Sequence, residues 1–163
     1  MPKVISRAAI SSSSDAPITA TQQAILKTYF CLCGEFLLVI DTDVRHLPRR
    51  PTDNTIVVRC KASSRPTVSS TGEPAPPVAP RVFKLNSVDG GKQFVKREND
   101  LLEPQHIHLC PRCATPVGYQ AAPPPTRNAT FLYLYWGGLT EVQGHVPDEA
   151  WEGEEELLGD GSA

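Results

Sequence analysis

Two pairs of cysteines carry the clearest chemical signal in this sequence. Cys31 and Cys33 stand one residue apart in "YFCLCGEFLLVID", and Cys110 and Cys113 stand two apart in "HLCPRCATPVGYQ". Residues i and i+2 of a strand point to one side, so the first two thiols are expected to face one ion from a strand end. The two-residue gap of the second pair is that of a zinc knuckle, where a tight turn brings both sulfurs together. Each pair follows one strand-like run and precedes another. Two such knuckles facing each other supply four thiolates, the tetrahedral set of a closed structural zinc site. In small metallo-domains such an ion contributes on the order of 10 kcal/mol to folding. Three other readings stay open at this point: ordinary buried thiols, an iron–sulfur cluster, although the usual ferredoxin spacings are absent, and a redox pair at "CPRC", which lacks a βαβ context.

The other reactive residues point elsewhere. Cys60, alone at the end of "TIVVRC", reads as a small buried hydrophobe rather than a fifth ligand. His106 and His108 alternate with Ile107 and Leu109 on the face of Cys110, a placement open to metal ligands or to donors behind the ligands. Because four cysteines already complete a tetrahedron, both histidines are expected at solvent or at an interface. His46 and His145 lie in loop-like contexts. Asp41 and Asp43 have the spacing of a carboxylate pair but read as a solvated strand end. "DGG" and "WGG" read as turns, and no glycine-rich phosphate loop follows a strand. With no Ser/His/Asp context and no open metal site beside a carboxylate base, an enzyme is not expected. One loop, "VRHLPRRP", is basic. Its Arg45, Arg49 and Arg50, held by Pro48 and Pro51, have the guanidinium chemistry to meet phosphate or an acidic protein surface, or to be simply solvated.

Short strands have to position these residues. Runs rich in β-branched and aromatic side chains occur at 25–31, 35–41, 55–59, 81–85, 92–96, 107–110, 117–120 and 130–136. "DGG" at 89–91 is expected to join two of them as a hairpin, since glycine supplies the positive φ of such turns. "FLYLYWGG" is apolar throughout and is expected to be buried on both faces. Short helices are expected at most near 98–102 or 149–158. Segments 1–20 and 61–80, rich in Ser, Pro and Ala, are too poor in large apolar residues to offset ordering entropy and are expected to be disordered. The stretch 121–127 reads as a stiff connector and 147–163 as an acidic tail. The expected fold is therefore mainly β: one small antiparallel domain over 21–146, zinc-ribbon-like or β-tent-like, with two zinc knuckles and a disordered insertion.

Length and charge agree with this. A chain of 163 residues is the size of one ordinary domain, and a net charge of −2 gives no reason for wholesale binding of nucleic acid or anionic membrane. The N-terminus has no apolar core of a secretory signal, and no run approaches the about 18–20 apolar residues of a membrane span. The expectation is a cytoplasmic or nuclear protein, in which five cysteines are not a disulfide framework and the "NAT" sequon at 128–130 is chance.

The stretches "MPKVISR", "YFCLCGEFLLVID", "LPRRPTD", "CPRCATPVGYQ" and "TFLYLYWGG", in that order, resemble the STING ER exit protein (STEEP) family over roughly 1–59 and 81–140. The resemblance implies a small β-rich zinc-type adaptor domain without catalysis. It implies a role in endoplasmic reticulum exit and ER-to-Golgi vesicle traffic, since animal members are associated with export of a membrane-bound immune sensor through curved membrane and coat vesicles. Because the family has also been found with spliceosomes, a nuclear protein- or RNP-binding module is the alternative. The implied partners are traffic cargo and coat machinery or spliceosomal proteins, with direct RNA contact open, and the implied location is peripheral at the endoplasmic reticulum or nuclear. By position, the matched thiols are Cys31, Cys33, Cys110 and Cys113, held by one structural zinc ion, and the matched loop carries Leu47, Pro48, Arg50, Pro51 and Asp53. The sequence departs from the family at Ala114, where glycine is usual, a change expected to be mild because small size is kept. It departs again in the insertion at 61–80, and the sequence as given reads as a short member without the family's long charged helical tail, so partner contacts made by that tail are not carried over from the resemblance.

Overall fold

The computed structural model describes residues 26–63 and 77–146. The segments expected to be disordered at 1–20 and acidic at 147–163, and the expected helix at 149–158, lie outside the described residues. So do positions 64–76 of the expected insertion, whose described ends carry no strand or helix.

The described strands are β1 (Lys27–Cys31), β2 (Phe36–Ile40), β3 (Ile56–Arg59), β4 (Phe83–Leu85), β5 (Val88–Lys96), β6 (Leu102–Leu109), β7 (Pro116–Gln120), β8 (Phe131–Leu134) and β9 (Leu139–Thr140). They form two antiparallel sheets, ordered β4-β2-β1-β9 and β3-β8-β7-β6-β5, with no α-helix among the described residues. Sequence pattern explains the layout. In "IVVR" of β3 and "FLYL" of β8 the alternate residues Ile56, Val58, Leu132 and Leu134 are buried, as a pleated strand with one covered face requires. They share one apolar cluster with Tyr29, Leu37, Leu38 and Ile40 of the other sheet, so the core lies between the two sheets. Full burial of each such side chain contributes about 1.5–3 kcal/mol. Gly118 of β7 is demanded by this packing: a Cβ there would lie 2.3 Å from the Tyr133 carbonyl oxygen.

Several expectations are corrected. "FLYLYWGG" is not buried on both faces: Phe131 and Tyr133 are only half-buried, and arginine guanidinium groups lie 4.8 Å from each of their ring centroids, Arg59 on Phe131 and Arg50 on Tyr133. "DGG" is not a hairpin turn. It lies inside β5, where Asp89 to Lys92 opposes only His106 to His108, and the extra residue makes a β-bulge. Gly91 takes φ +84, with its N–H donating to Asp89 Oδ1 at 2.8 Å. Bulge and turn demand the same positive φ, so the glycines did not distinguish them. The runs at 81–85 and 92–96 accordingly sit in different sheets. The stretch 98–102 is not a helix but the tight end of the β5–β6 hairpin, closed by Arg97 N–H donating to the Leu101 carbonyl at 2.9 Å. The two-residue strand β9 was too short to stand out in the sequence.

Candidate metal centre

The two knuckles are built alike. Cys31 ends β1, and its N–H donates to the Glu35 carbonyl at 2.7 Å while Gly34, at φ +87, donates back to the Cys31 carbonyl at 2.8 Å. In the second knuckle Cys110 N–H donates to the Thr115 carbonyl at 2.9 Å, and Ala114, at φ +58, donates back to the Cys110 carbonyl at 3.0 Å. The turn therefore aims the sulfurs in both, and Cys33 lies in that turn rather than on the strand its i, i+2 spacing suggested. Ala114 is corrected in the same way: what matters there is not small size but a left-handed backbone, which costs an L-residue about 1–2 kcal/mol.

The knuckles meet. Sγ of Cys31 and Cys113 are 3.6 Å apart, those of Cys33 and Cys110 are 3.7 Å apart, and all four lie within 4.8 Å of one another. These separations exclude disulfides, which need about 2.05 Å. They match a tetrahedral metal–thiolate set, since bonds of about 2.3 Å at the tetrahedral angle put sulfurs about 3.8 Å apart. The four cysteines thus have both the donor chemistry and the spacing to hold a metal ion. Cys31 and Cys110 are buried, Cys33 is half-buried and Cys113 exposed, so one edge of the cluster faces solvent. Burial pushes the Cys31 thiol up to about 12, while hydrogen bonding with the Thr115 side chain and backbone draws Cys113 down to about 6. A cation bound by the four sulfurs would hold the buried member as thiolate at neutral pH. Side chains brace the turns from outside: Arg112 Nη1 donates to the Cys33 carbonyl at 3.3 Å, and Gln143 Nε2 to the Gly34 carbonyl at 2.8 Å.

The other sequence candidates do not join this cluster. Cys60 packs half-buried against the core with Sγ 3.7 Å from the Val58 carbonyl. His108, expected at solvent or an interface, is buried. Gln120 fixes its tautomer: the Gln120 amide nitrogen donates to the Ala122 carbonyl at 2.8 Å, so Gln120 Oε1 accepts from His108 Nε2 at 3.0 Å. His108 Nδ1 is then the acceptor for the Ser87 hydroxyl at 3.0 Å. A buried imidazole with both nitrogens used in this way stays neutral, and burial lowers its pKa. Asp41 and Asp43, expected as a solvated strand end, are structural: Asp43 accepts from Arg45 N–H at 2.9 Å and from the Tyr29 hydroxyl at 3.2 Å, and Asp41 from Val82 N–H at 3.1 Å.

The three loop arginines part company. Arg45 is exposed and pairs with Glu141 and Asp43. Arg49 lies over the Trp136 ring, 3.3 Å from its centroid. Arg50 turns inward and grips Glu103 with both nitrogens, at 2.7 and 3.0 Å. Around it stands a network that sequence reading missed. Arg97 donates to Glu103 at 2.8 Å and to Asp53 at 3.0 Å, Asp53 accepts from the Tyr119 hydroxyl, and the Tyr119 ring stacks on Tyr133 at 4.9 Å. Burial alone would raise the Glu103 carboxyl, but hydrogen bonds from Arg50 and Arg97 outweigh it and hold the group at about 2. The only signal in the sequence was opposite charge scattered over Arg50, Asp53, Arg97 and Glu103, which no local pattern links. The network ties the loop at 47–55 to the β5–β6 hairpin.

Comparison with known proteins bears on this geometry. The pattern of the STEEP1 domain matches residues 20–149, which takes in both knuckles and every described strand. The chain is also 26% identical over 134 residues to the STING ER exit protein of Drosophila melanogaster, covering 81% of this chain and 47% of that protein. This chain thus spans about half the length of that relative. No helix among the described residues is long and apolar enough to cross a membrane.

Proposed function

We infer function from one premise, that the chain belongs to the STEEP1 domain family, and read it as a non-enzymatic adaptor in exit from the endoplasmic reticulum. The observation that carries this reading is the extent of the family match, which spans the whole described fold together with its four-cysteine cluster. Its Drosophila relative is named for ER exit, and that role is proposed here for this chain. The ion in the Cys31, Cys33, Cys110 and Cys113 cluster is read as zinc: four thiolates fill a tetrahedron and leave no coordination position for a substrate, so the ion organises the fold and supplies no reaction. Its task is to lock β1–β2 of one sheet to β6–β7 of the other, fixing the surface that partner proteins meet. Arg45 is the loop arginine best placed on that surface.

Affinity purification of the full chain from cells tests the reading. Recovery of coat and cargo proteins of early secretory traffic is the expected result, and recovery of splicing factors without them overturns it. Elemental analysis of the purified protein should give about one zinc per chain; a stably folded protein without metal would remove the structural ion from the proposal.

A further inference from the structure

Among the described residues, one long strand edge has no strand beside it. β3, at the far side of the same sheet, is covered: Val57 N–H donates to the Pro48 carbonyl and Arg81 N–H to the Arg59 carbonyl, both at 2.9 Å. The edges of the other sheet, β4 and β9, are only three and two residues long. β5 spans nine residues, and no described strand lies on its outer side. The bulge at Asp89 to Lys92 closes its first half to regular pairing, which leaves the stretch 92–96. Arg97 N–H bonds the Leu101 carbonyl, and antiparallel alternation from that pair turns the N–H and C=O groups of Lys92, Phe94 and Lys96 away from β6. Pro104, which stands opposite Phe94, agrees with this register because it has no N–H to give.

The side chains on this edge have a pattern. Phe94 is 61% exposed between two lysines, with Lys92 Nζ 4.7 Å from its ring centroid. Lys96 pairs at 2.7 Å with Asp100, but both are largely exposed, so that pair contributes little and yields readily. A second copy of the chain fits poorly, since the register that sets Phe94 against Phe94 also sets Lys92 against Lys96, and like charges directly opposite are destabilising. Glu98 and Asp100 at the hairpin tip oppose an anionic lipid surface. We propose that the 92–96 edge of β5 is a β-augmentation site for an extended segment of a partner protein that presents acidic, apolar and acidic side chains at alternate positions. Main-chain bonds to Lys92, Phe94 and Lys96 would hold the segment, and cross-strand pairs would select its sequence and register. This deepens the adaptor reading and rests on it only for the existence of a protein partner.

The test uses the full chain and a capped synthetic peptide, Ser-Thr-Glu-Thr-Ile-Thr-Glu-Thr-Ser, followed by amide NMR. Saturable shifts centred on Lys92, Phe94 and Lys96 are expected, with affinity falling about tenfold or more when both peptide glutamates become lysine. Lys92→Glu with Lys96→Glu should reverse that preference. Phe94→Pro should abolish binding while leaving the β5–β6 ladder intact, because the N–H it removes faces outward; if that variant does not fold, the charge reversal decides. No saturable shift up to millimolar peptide, equal binding of both peptides, or self-association through this edge would each overturn the proposal. Purification from cells separates this from the adaptor reading. Traffic proteins recovered equally by the wild-type and charge-reversed chains sink the edge alone, whereas none recovered by the wild type sinks the adaptor role and leaves the peptide result standing.

Discussion

Cys33→Ser should unfold this domain in buffer, whereas Cys60→Ser should cost it little. Cys33 and Cys110 lie 3.7 Å apart in space and 77 residues apart in sequence. A link across that many residues restricts the unfolded chain by about 4.5 kcal/mol in the chain-entropy relation, and apparent zinc binding in small structural sites reaches about 10–16 kcal/mol. A hydroxyl in place of one thiolate forfeits much of that. Domains of this size hold only about 5–15 kcal/mol in total, so a loss above about 5 kcal/mol leaves little folded population. Cys60 makes no such link: its half-buried thiol donates to the Val58 carbonyl at 3.7 Å and packs against the core, so the expected cost of serine there is about 1 kcal/mol. Urea unfolding at pH 7.5, followed by circular dichroism with zinc held at a fixed free concentration, reads both changes. A chelator titration of the wild type should reproduce the Cys33→Ser spectrum. If Cys33→Ser keeps a wild-type midpoint, or Cys60→Ser falls as far, the four-sulfur clamp does not hold the sheets together.

Arg50→Met should cost about 2 kcal/mol in the same assay, less than the about 3–5 kcal/mol for breaking a fully buried pair because Arg50 and Glu103 keep some contact with water; a loss under 0.5 kcal/mol would make the network ornamental. Glu103→Gln should show its full deficit above about pH 4.5 and a shrinking one as pH falls below it. The Glu103 carboxyl titrates lower folded than unfolded, and acid loss of any ion held by the cysteines, common to both proteins, cancels in the difference. Gly118→Ala should destabilise by about 2–3 kcal/mol, since its Cβ would meet the Tyr133 carbonyl in the β7–β8 ladder; a neutral result in the melting curve would contradict that close approach. Ala114→Gly should stabilise by about 0.5–1 kcal/mol, the relief of a left-handed alanine less the greater freedom of glycine in the unfolded chain, and a lower melting temperature would refute it.

Local chemistry was legible in the sequence, and long-range pairing was not. The four cysteines could be assigned to one cluster because each knuckle is a local motif repeated in a matched context. The runs at 35–41, 55–59 and 117–120 foretold β2, β3 and β7 because β-branched and aromatic side chains concentrate in strands, whatever they pair with. "DGG" misled because a glycine at positive φ marks a bulge as well as a turn, and only the partner strand, here His106 to His108, tells which. The alternation of His106 and His108 placed them on one face, but whether His108 meets water depends on Ser87, from the link between β4 and β5, and Gln120, from β7.

The fold changes what the basic loop can be asked to do. In sequence Arg45, Arg49 and Arg50 form one cationic cluster, and replacing all three is the obvious way to probe partner binding. In the fold they hold three different jobs. Arg50 joins the loop to Glu103 in β6, and Arg49 stacks on Trp136, so removing either disturbs the domain before any partner is considered. Only Arg45 has its side chain more than half exposed, tethered to Glu141 and Asp43 by pairs that water screens. A triple substitution that lost its partners would therefore report on folding as readily as on contact, and Arg45→Ala alone is the change that separates the two.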